Sequence, residues 1–99
     1  MIRHALPVAL AFILATPAHA INLARGQQLF NLHCASCHGV NGIPVAPNAP
    51  SFAMRERLEQ SDMALMMSVK MGKNTMPPFF GLLKDQEIAD ILQYVRTLR

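Results

Sequence analysis

Cysteine occurs only twice in this 99-residue chain, tyrosine once and tryptophan not at all. Two cysteines allow one bridge at most, so a multi-disulfide scaffold is excluded. Charge is also scarce: 15% of residues are charged and the net charge is +3, which gives no ground for nucleic-acid binding or membrane-surface attraction. After residue 20 no apolar run approaches the roughly 20 residues of a membrane-spanning helix, so stable membrane insertion is not expected there. Strand pairs, internal repeats and low-complexity tracts are likewise missing. What remains is one small domain of helices and loops.

The amino terminus has its own layout. Arg3 supplies a positive charge, Ala5 to Ala15 is an apolar run, and Ala18-His19-Ala20 offers small residues around a cut. That is the three-part pattern of a secretory signal peptide, with cleavage expected after Ala20 and residues 21–99 forming the mature domain. Pro7 and Pro17 bracket an apolar run too short to span a bilayer. Export from a bacterial cytoplasm into the periplasm is the expectation. A chain as short as 21–99 buries a modest core and needs a staple of some kind.

Cys34-Ala35-Ser36-Cys37-His38 is the candidate for that staple, because C-x-x-C-H is the attachment pattern of a c-type haem. Two thiols three residues apart can each add to a vinyl group, and the following imidazole can then take an axial position on the iron. Positions i, i+3 and i+4 share a helical face, so Cys34, Cys37 and His38 can meet one flat cofactor. A redox disulfide gains nothing from the adjacent histidine, and no βαβ pattern surrounds the pair. A zinc site from His33, Cys34, Cys37 and His38 would have to unwind the helix, since neighbouring helical residues point about 100° apart.

Coarsely the mature chain reads helix, long loop, helix, loop, helix. Asn22 caps a helix from Leu23 to about Ser36, with Leu23, Gln27, Phe30 and Cys34 along one side and Gly26 beside Phe30. Gly39 to Ser51 is rich in glycine, proline and asparagine and reads as a compact surface loop. Ser61 caps a second helix, Asp62 to Met71, stopped by Gly72, with Leu65, Met66 and Val69 inward. The last helix runs from about Asp85 to Leu98, where Ile88, Ile91, Leu92, Val95 and Leu98 keep a 3.6 period. Glu87 and Asp90 suit its start, and Arg96 and Arg99 its end. The fold class is all-α.

Met76 is the candidate for the second axial ligand. It lies in a loop stiffened by Pro77 and Pro78, and its thioether is a soft donor that favours ferrous iron. Met54, Met63, Met66, Met67 and Met71 are read as packing residues of the core or pocket, Met71 being the substitute ligand. His33 is read as a solvated surface histidine.

Taken together, Gly26 with Phe30, Cys34-Ala-Ser-Cys37-His38-Gly39, Met76-Pro77-Pro78-Phe79 and Ile91-Leu92-Gln93-Tyr94-Val95 resemble a small monohaem class I cytochrome c of the bacterial periplasm, over Leu23 to Leu98. The resemblance implies the cytochrome c fold, three main helices and loops wrapped around one covalent haem c. It implies that Gly26 lets the first and last helices cross closely, with Phe30 against Ile91 and Tyr94. It also places Pro50 where its carbonyl accepts a hydrogen bond from His38 Nδ1–H. The chain departs from the family in having Lys84 where a Ser or Thr cap usually stands, and no tryptophan to donate to a haem propionate. Arg55, Arg57, Asn74 and Thr75 are the available substitutes.

The function implied is one-electron transfer between redox protein donors and acceptors by a monomeric carrier, not enzymatic catalysis. Lys70, Lys73, Lys84, Arg55 and Arg57 are candidates to ring the haem edge. Two other readings stand beside it: a haem-bearing subunit docked through Phe79 and Phe80, and a ligand-binding or peroxidatic haem protein with a labile distal ligand.

Overall fold

Helix formation begins where a side chain can satisfy backbone donors that have no partner of their own. Asn22 Oδ1 accepts from Arg25 N at 2.9 Å, and α1 follows as Leu23–His33. The computed structural model describes residues 3–9, 11 and 20–99; the expected leader and its cleavage at Ala20 lie largely outside the described residues. The helix expected to reach Ser36 is divided at Cys34, whose φ of −117° ends α1, and a single further turn, α2, spans Ala35–His38. Gly39, at φ 80°, closes that turn by donating to Ala35 O at 2.8 Å.

Ser61 Oγ accepts from Ala64 N at 3.1 Å and starts α3, Asp62–Met71, which Gly72 ends at φ 72°. These bounds match the sequence expectation. The last helix, α4, is Asp85–Val95, shorter than expected because its end tightens into i→i+3 turns: Thr97 N donates to Tyr94 O at 2.9 Å and Leu98 N to Val95 O at 3.1 Å. Glu87 accepts from Lys84 N at 2.9 Å, but a lysine side chain has no acceptor to return, so only half a capping box forms. Among the described residues there are no β-strands, only two isolated bridges, and no helix is long and apolar enough to cross a membrane.

The core is built on the crossing of α1 and α4. A Cβ on Gly26 would collide with the Asp90 carbonyl and press on Tyr94 Cβ, so glycine is what lets the two backbones touch. Phe30, fully buried, meets Tyr94 edge-on with ring centroids 5.5 Å apart. Ile88, Ile91, Leu92, Val95 and Leu98 are all buried, as their spacing requires. On α1, however, Leu23 and Gln27 face solvent, and the buried side is Gly26 and Phe30.

Three further expectations are corrected here. Asp90, read only as an acid suiting the start of the last helix, is fully buried, accepting from Asn22 N (3.0 Å), Arg25 Nε (2.7 Å) and Gln86 Nε2 (3.3 Å). Arg96 does not simply end a helix: its guanidinium donates to Leu58 O, Gln60 O and Asp62 Oδ1, sewing segment 52–61 to α4. Of the methionines read as packing, only Met66 lies against the core, while Met54, Met63, Met67 and Met71 are exposed.

Burial alone would raise the Asp90 pKa, but hydrogen bonds from Asn22, Arg25 and Gln86, with the Arg25 charge, outweigh it and hold the carboxyl below its usual value. The unfolded value is about 3.9, so the stability this group contributes is complete above that pH and is lost as pH falls toward the lower folded-state value. Asp90→Asn is therefore expected to lower stability near neutrality by about 2 kcal/mol and to flatten the acid limb of the stability curve, read by denaturant unfolding from pH 7 to pH 3. Gly26→Ala is expected to cost about 3 kcal/mol in the same assay, because the Asp90 backbone must move to admit the methyl group.

Candidate functional site

One cavity of about 960 Å³ gathers the sequence candidates: Cys34, Cys37, His38, Pro50 and Met76 all line it. Each is placed by a different local device. Cys34 lies one helical turn beyond Phe30, whose carbonyl accepts from Cys34 N at 2.8 Å. Cys37 is fixed by the loop that follows, which folds back so that Val45 N and Ala46 N both donate to Cys37 O, at 2.9 and 3.0 Å. That loop can turn so sharply only because Gly39 carries no side chain: a Cβ there would strike the Ile43 carbonyl.

The two thiols are free rather than joined. Burial, and then the neighbouring Cys37, push the Cys34 thiol up to about 11, the setting of a neutral thiol and not of a nucleophilic redox pair. Among the described residues no three His, Cys, Asp or Glu side chains are grouped to hold a metal, so the zinc reading has no ligand set.

His38 is buried and stacks on Phe52, with ring centroids 4.6 Å apart and planes 18° from parallel. Burial lowers its pKa below the usual value, and the Pro50 backbone carbonyl opposes that shift. The lowered pKa favours the neutral ring, the form that binds iron. Nδ1 is buried without a formed partner. The Pro50 carbonyl acts on it as an electrostatic neighbour; no bond of good hydrogen-bond geometry joins the two.

Met76 is held between two anchors. On one side Lys73 N donates to Met76 O at 3.1 Å and Met76 N donates to Lys73 O at 2.9 Å, closing a turn with Asn74 at φ 55°. On the other side Phe79 N donates to Val69 O (3.0 Å) and Phe80 N to Lys70 O (3.1 Å), returning the chain to the end of α3. Pro77 and Pro78, with no N–H to satisfy, bridge the anchors. Met71 is exposed and does not line the cavity, so it offers no substitute.

The rest of the lining is apolar where it is deep and polar at the rim. Phe30, Leu65, Val69, Ile91, Leu92 and Val95 form the inner wall. Arg57, Asn48, Lys73, Asn74 and Thr75 stand among the polar lining residues, whereas Arg55 does not line the cavity and donates instead to Arg96 O at 3.1 Å. Of the other cations expected around the edge, Lys70 pairs with Asp85 at 2.9 Å and Lys84 stands at the start of α4. His33 is not a solvated surface residue: it is half-buried, lines the cavity and meets Phe79 edge-on at 6.0 Å. Phe79 is buried at the lining, so only Phe80 of that pair is exposed.

Phe52 went unnoticed in the sequence. Its one signal was an aromatic residue two positions after Pro50 in a segment otherwise poor in large apolar side chains. The residues present fit a planar, apolar, covalently held macrocycle. Two thiols and an imidazole on adjoining turns, a thioether in a separate braced loop, and an apolar inner wall with a polar rim supply each type of contact such a group makes.

Comparison with known proteins agrees with that fit. A family model described as Cytochrome c matches residues 23–99. The chain is 39% identical over 92 residues to cytochrome c6 of a Synechococcus species, covering 89% of this chain and 80% of that protein. It is 39% identical over 95 residues to cytochrome c6 of Thermosynechococcus vestitus, covering 92% and 83% respectively. Among solved structures, cytochrome c6 from the diatom Phaeodactylum tricornutum superposes with a TM-score of 0.62 at 32% identity, over 75% of this chain and 90% of that one.

Gly72 and Gly81 form a matched pair for testing how the Met76 loop is braced. Both have positive φ, but a Cβ on Gly72 would lie 2.7 Å from Met76 O, while nothing lies within 4 Å of one on Gly81. Gly81→Ala is expected to cost about 1 kcal/mol for its backbone conformation alone and to leave the Met76 methyl resonance in place. Gly72→Ala should cost about 3 kcal/mol and shift that resonance, because the turn itself must open. Denaturant unfolding and methionine methyl NMR read the two effects.

Proposed function

Since the chain belongs to the cytochrome c family, and so carries one covalently attached haem c and transfers electrons rather than catalysing a reaction, we propose that it is an exported carrier with His38 and Met76 as its two axial iron ligands. The observation that carries this reading is that one cavity collects both thiols, the buried imidazole and the braced thioether.

The haem supplies the redox couple, its iron alternating between ferric and ferrous. Cys34 and Cys37 would fix it through thioether links, and His38 would bind the iron from the motif side. Phe52 limits rotation of the His38 ring through its stack. The Pro50 carbonyl, an electrostatic neighbour of the ring, is the acceptor Nδ1 would turn to once the haem is bound, and such a bond would orient the ring and raise its basicity. Met76 brings a soft donor that favours the ferrous state and raises the reduction potential. Because its loop is tied at Lys73 and again at Val69 and Lys70, the sulfur would hold its place in both oxidation states. The apolar inner wall of Phe30, Leu65, Val69, Ile91 and Leu92 would keep water from the bound haem, and Cys37 marks the exposed edge through which an electron would pass.

Export follows from the leader pattern: cleavage after Ala20 would release residues 21–99 into the periplasm of a Gram-negative bacterium as a monomer that meets its redox donors and acceptors by diffusion. Absorption spectroscopy of the oxidised protein tests the ligand set. A weak near-infrared sulfur-to-iron band is expected, and Met76→Ala should abolish it and open the reduced protein to rapid carbon monoxide binding. Rapid carbon monoxide binding by the unaltered protein would overturn the proposal in favour of a ligand-binding haem.

A further inference from the structure

The solvent-facing positions of α3 are Asp62, Met63, Met67 and Met71. Three of the four are thioethers, 69%, 47% and 67% exposed, and a spacing of four residues stacks them along one face. A helix face turned to water ordinarily carries charged and amide side chains. Neither burial nor the cavity accounts for these methionines, since none of them lines it. Met66, one position before Met67, packs on the core, so the helix sorts its methionines by direction.

A thioether is a neutral, soft donor with no proton to lose, suited to monovalent copper and chemically similar ions. Residues four apart on a helix have Cβ atoms about 5–6 Å apart, and the unbranched methionine chain lets two sulfurs turn toward one ion. Met63 and Met71 are about 12 Å apart along the axis, too far to share an ion on a straight helix. Met67 is therefore common to both available pairs. Lys70, the one cation of α3, has its Nζ 2.9 Å from Asp85 and 5.7 Å from the centre of the Phe80 ring, so its charge is offset. Met71 also lies in the last turn, where the carbonyl end of the helix favours a cation. Asp62 is already engaged by Arg96 and is left out of the ligand set.

We propose that Met63, Met67 and Met71 form an exposed site for one soft monovalent cation, Cu(I) or Ag(I), held by two thioethers of which Met67 is always one. Binding is a simple association in which no electron moves.

Ag(I) is the probe, used with the haem held ferric so that no donor is present to reduce it: silver nitrate is titrated in chloride-free buffer into the oxidised, haem-loaded protein labelled with ¹³C at the methionine methyl groups. The Met63, Met67 and Met71 methyls should shift along one saturable curve, while Met66 and Met54 stay in place. Met54 is the internal control, since it is 78% exposed but lies in the loop before α3 and outside the stripe. Met67→Leu, which keeps side-chain size and helix propensity, should weaken binding at least about tenfold without changing the haem spectrum. Met63→Leu and Met71→Leu should each weaken it less, because one pair survives. A Met54 curve that follows that of Met67, or unchanged Ag(I) binding by Met67→Leu, would overturn the proposal.

Discussion

Everything in this molecule is referred to the contact between Gly26 and the backbone of Asp90. Two helices that begin more than sixty residues apart in the chain approach until backbone meets backbone, and this is possible only because one of them lacks a side chain at the crossing. The contact sets Phe30 against Tyr94, and one turn further on it sets Cys34 at the mouth of the cavity. It also takes the Asp90 carboxylate out of water, which is tolerable because the start of α1 supplies a backbone N–H and a guanidinium to meet it. The same crossing thus fixes the inner wall, the first thiol and the start of α1.

Around that frame the two sides of the cavity are built by opposite means. The motif side depends on regular structure: a helix, a one-turn helix and a loop returning to the Cys37 carbonyl. The Met76 side has no regular structure and relies on hydrogen bonds at its two ends, with prolines between. Stiffness comes from the ends being tied and from the dihedrals being restricted, not from a helical ladder. Segment 52–61 is a third case, in which Arg55 and Arg57 adopt positive φ and the Arg96 guanidinium gathers the carbonyls of Leu58 and Gln60.

Local chemistry was legible in the sequence. The caps at Asn22 and Ser61, the stop at Gly72 and the stripe from Ile88 to Leu98 each depend on residues within a few positions of one another, and each appears where it was read. The Cys34, Cys37 and His38 motif and the Met76 loop were legible for the same reason, and they converge on one cavity. The misread features all depend on distant partners. Asp90 reads only as a helix-start acid until Arg25 and Asn22 arrive beside it. Arg96 reads as a helix-end charge until segment 52–61 folds under it. Phe52 has no meaning until His38 is placed. The outward methionines were misread because hydrophobicity alone does not say which side of α3 faces the core.

The separation of Gly26 from Asp90 along the chain also imposes an order of events. A polypeptide emerges from its N-terminus, so α1 and both thiols are made well before α4 exists to pack on them. Until Asp85–Val95 has been synthesised the inner wall lacks Ile91, Leu92 and Val95, and closure of so non-local a contact has to wait. Arrival of the final helix completes the inner wall behind Cys34, while Cys37 stays at the surface even in the finished fold.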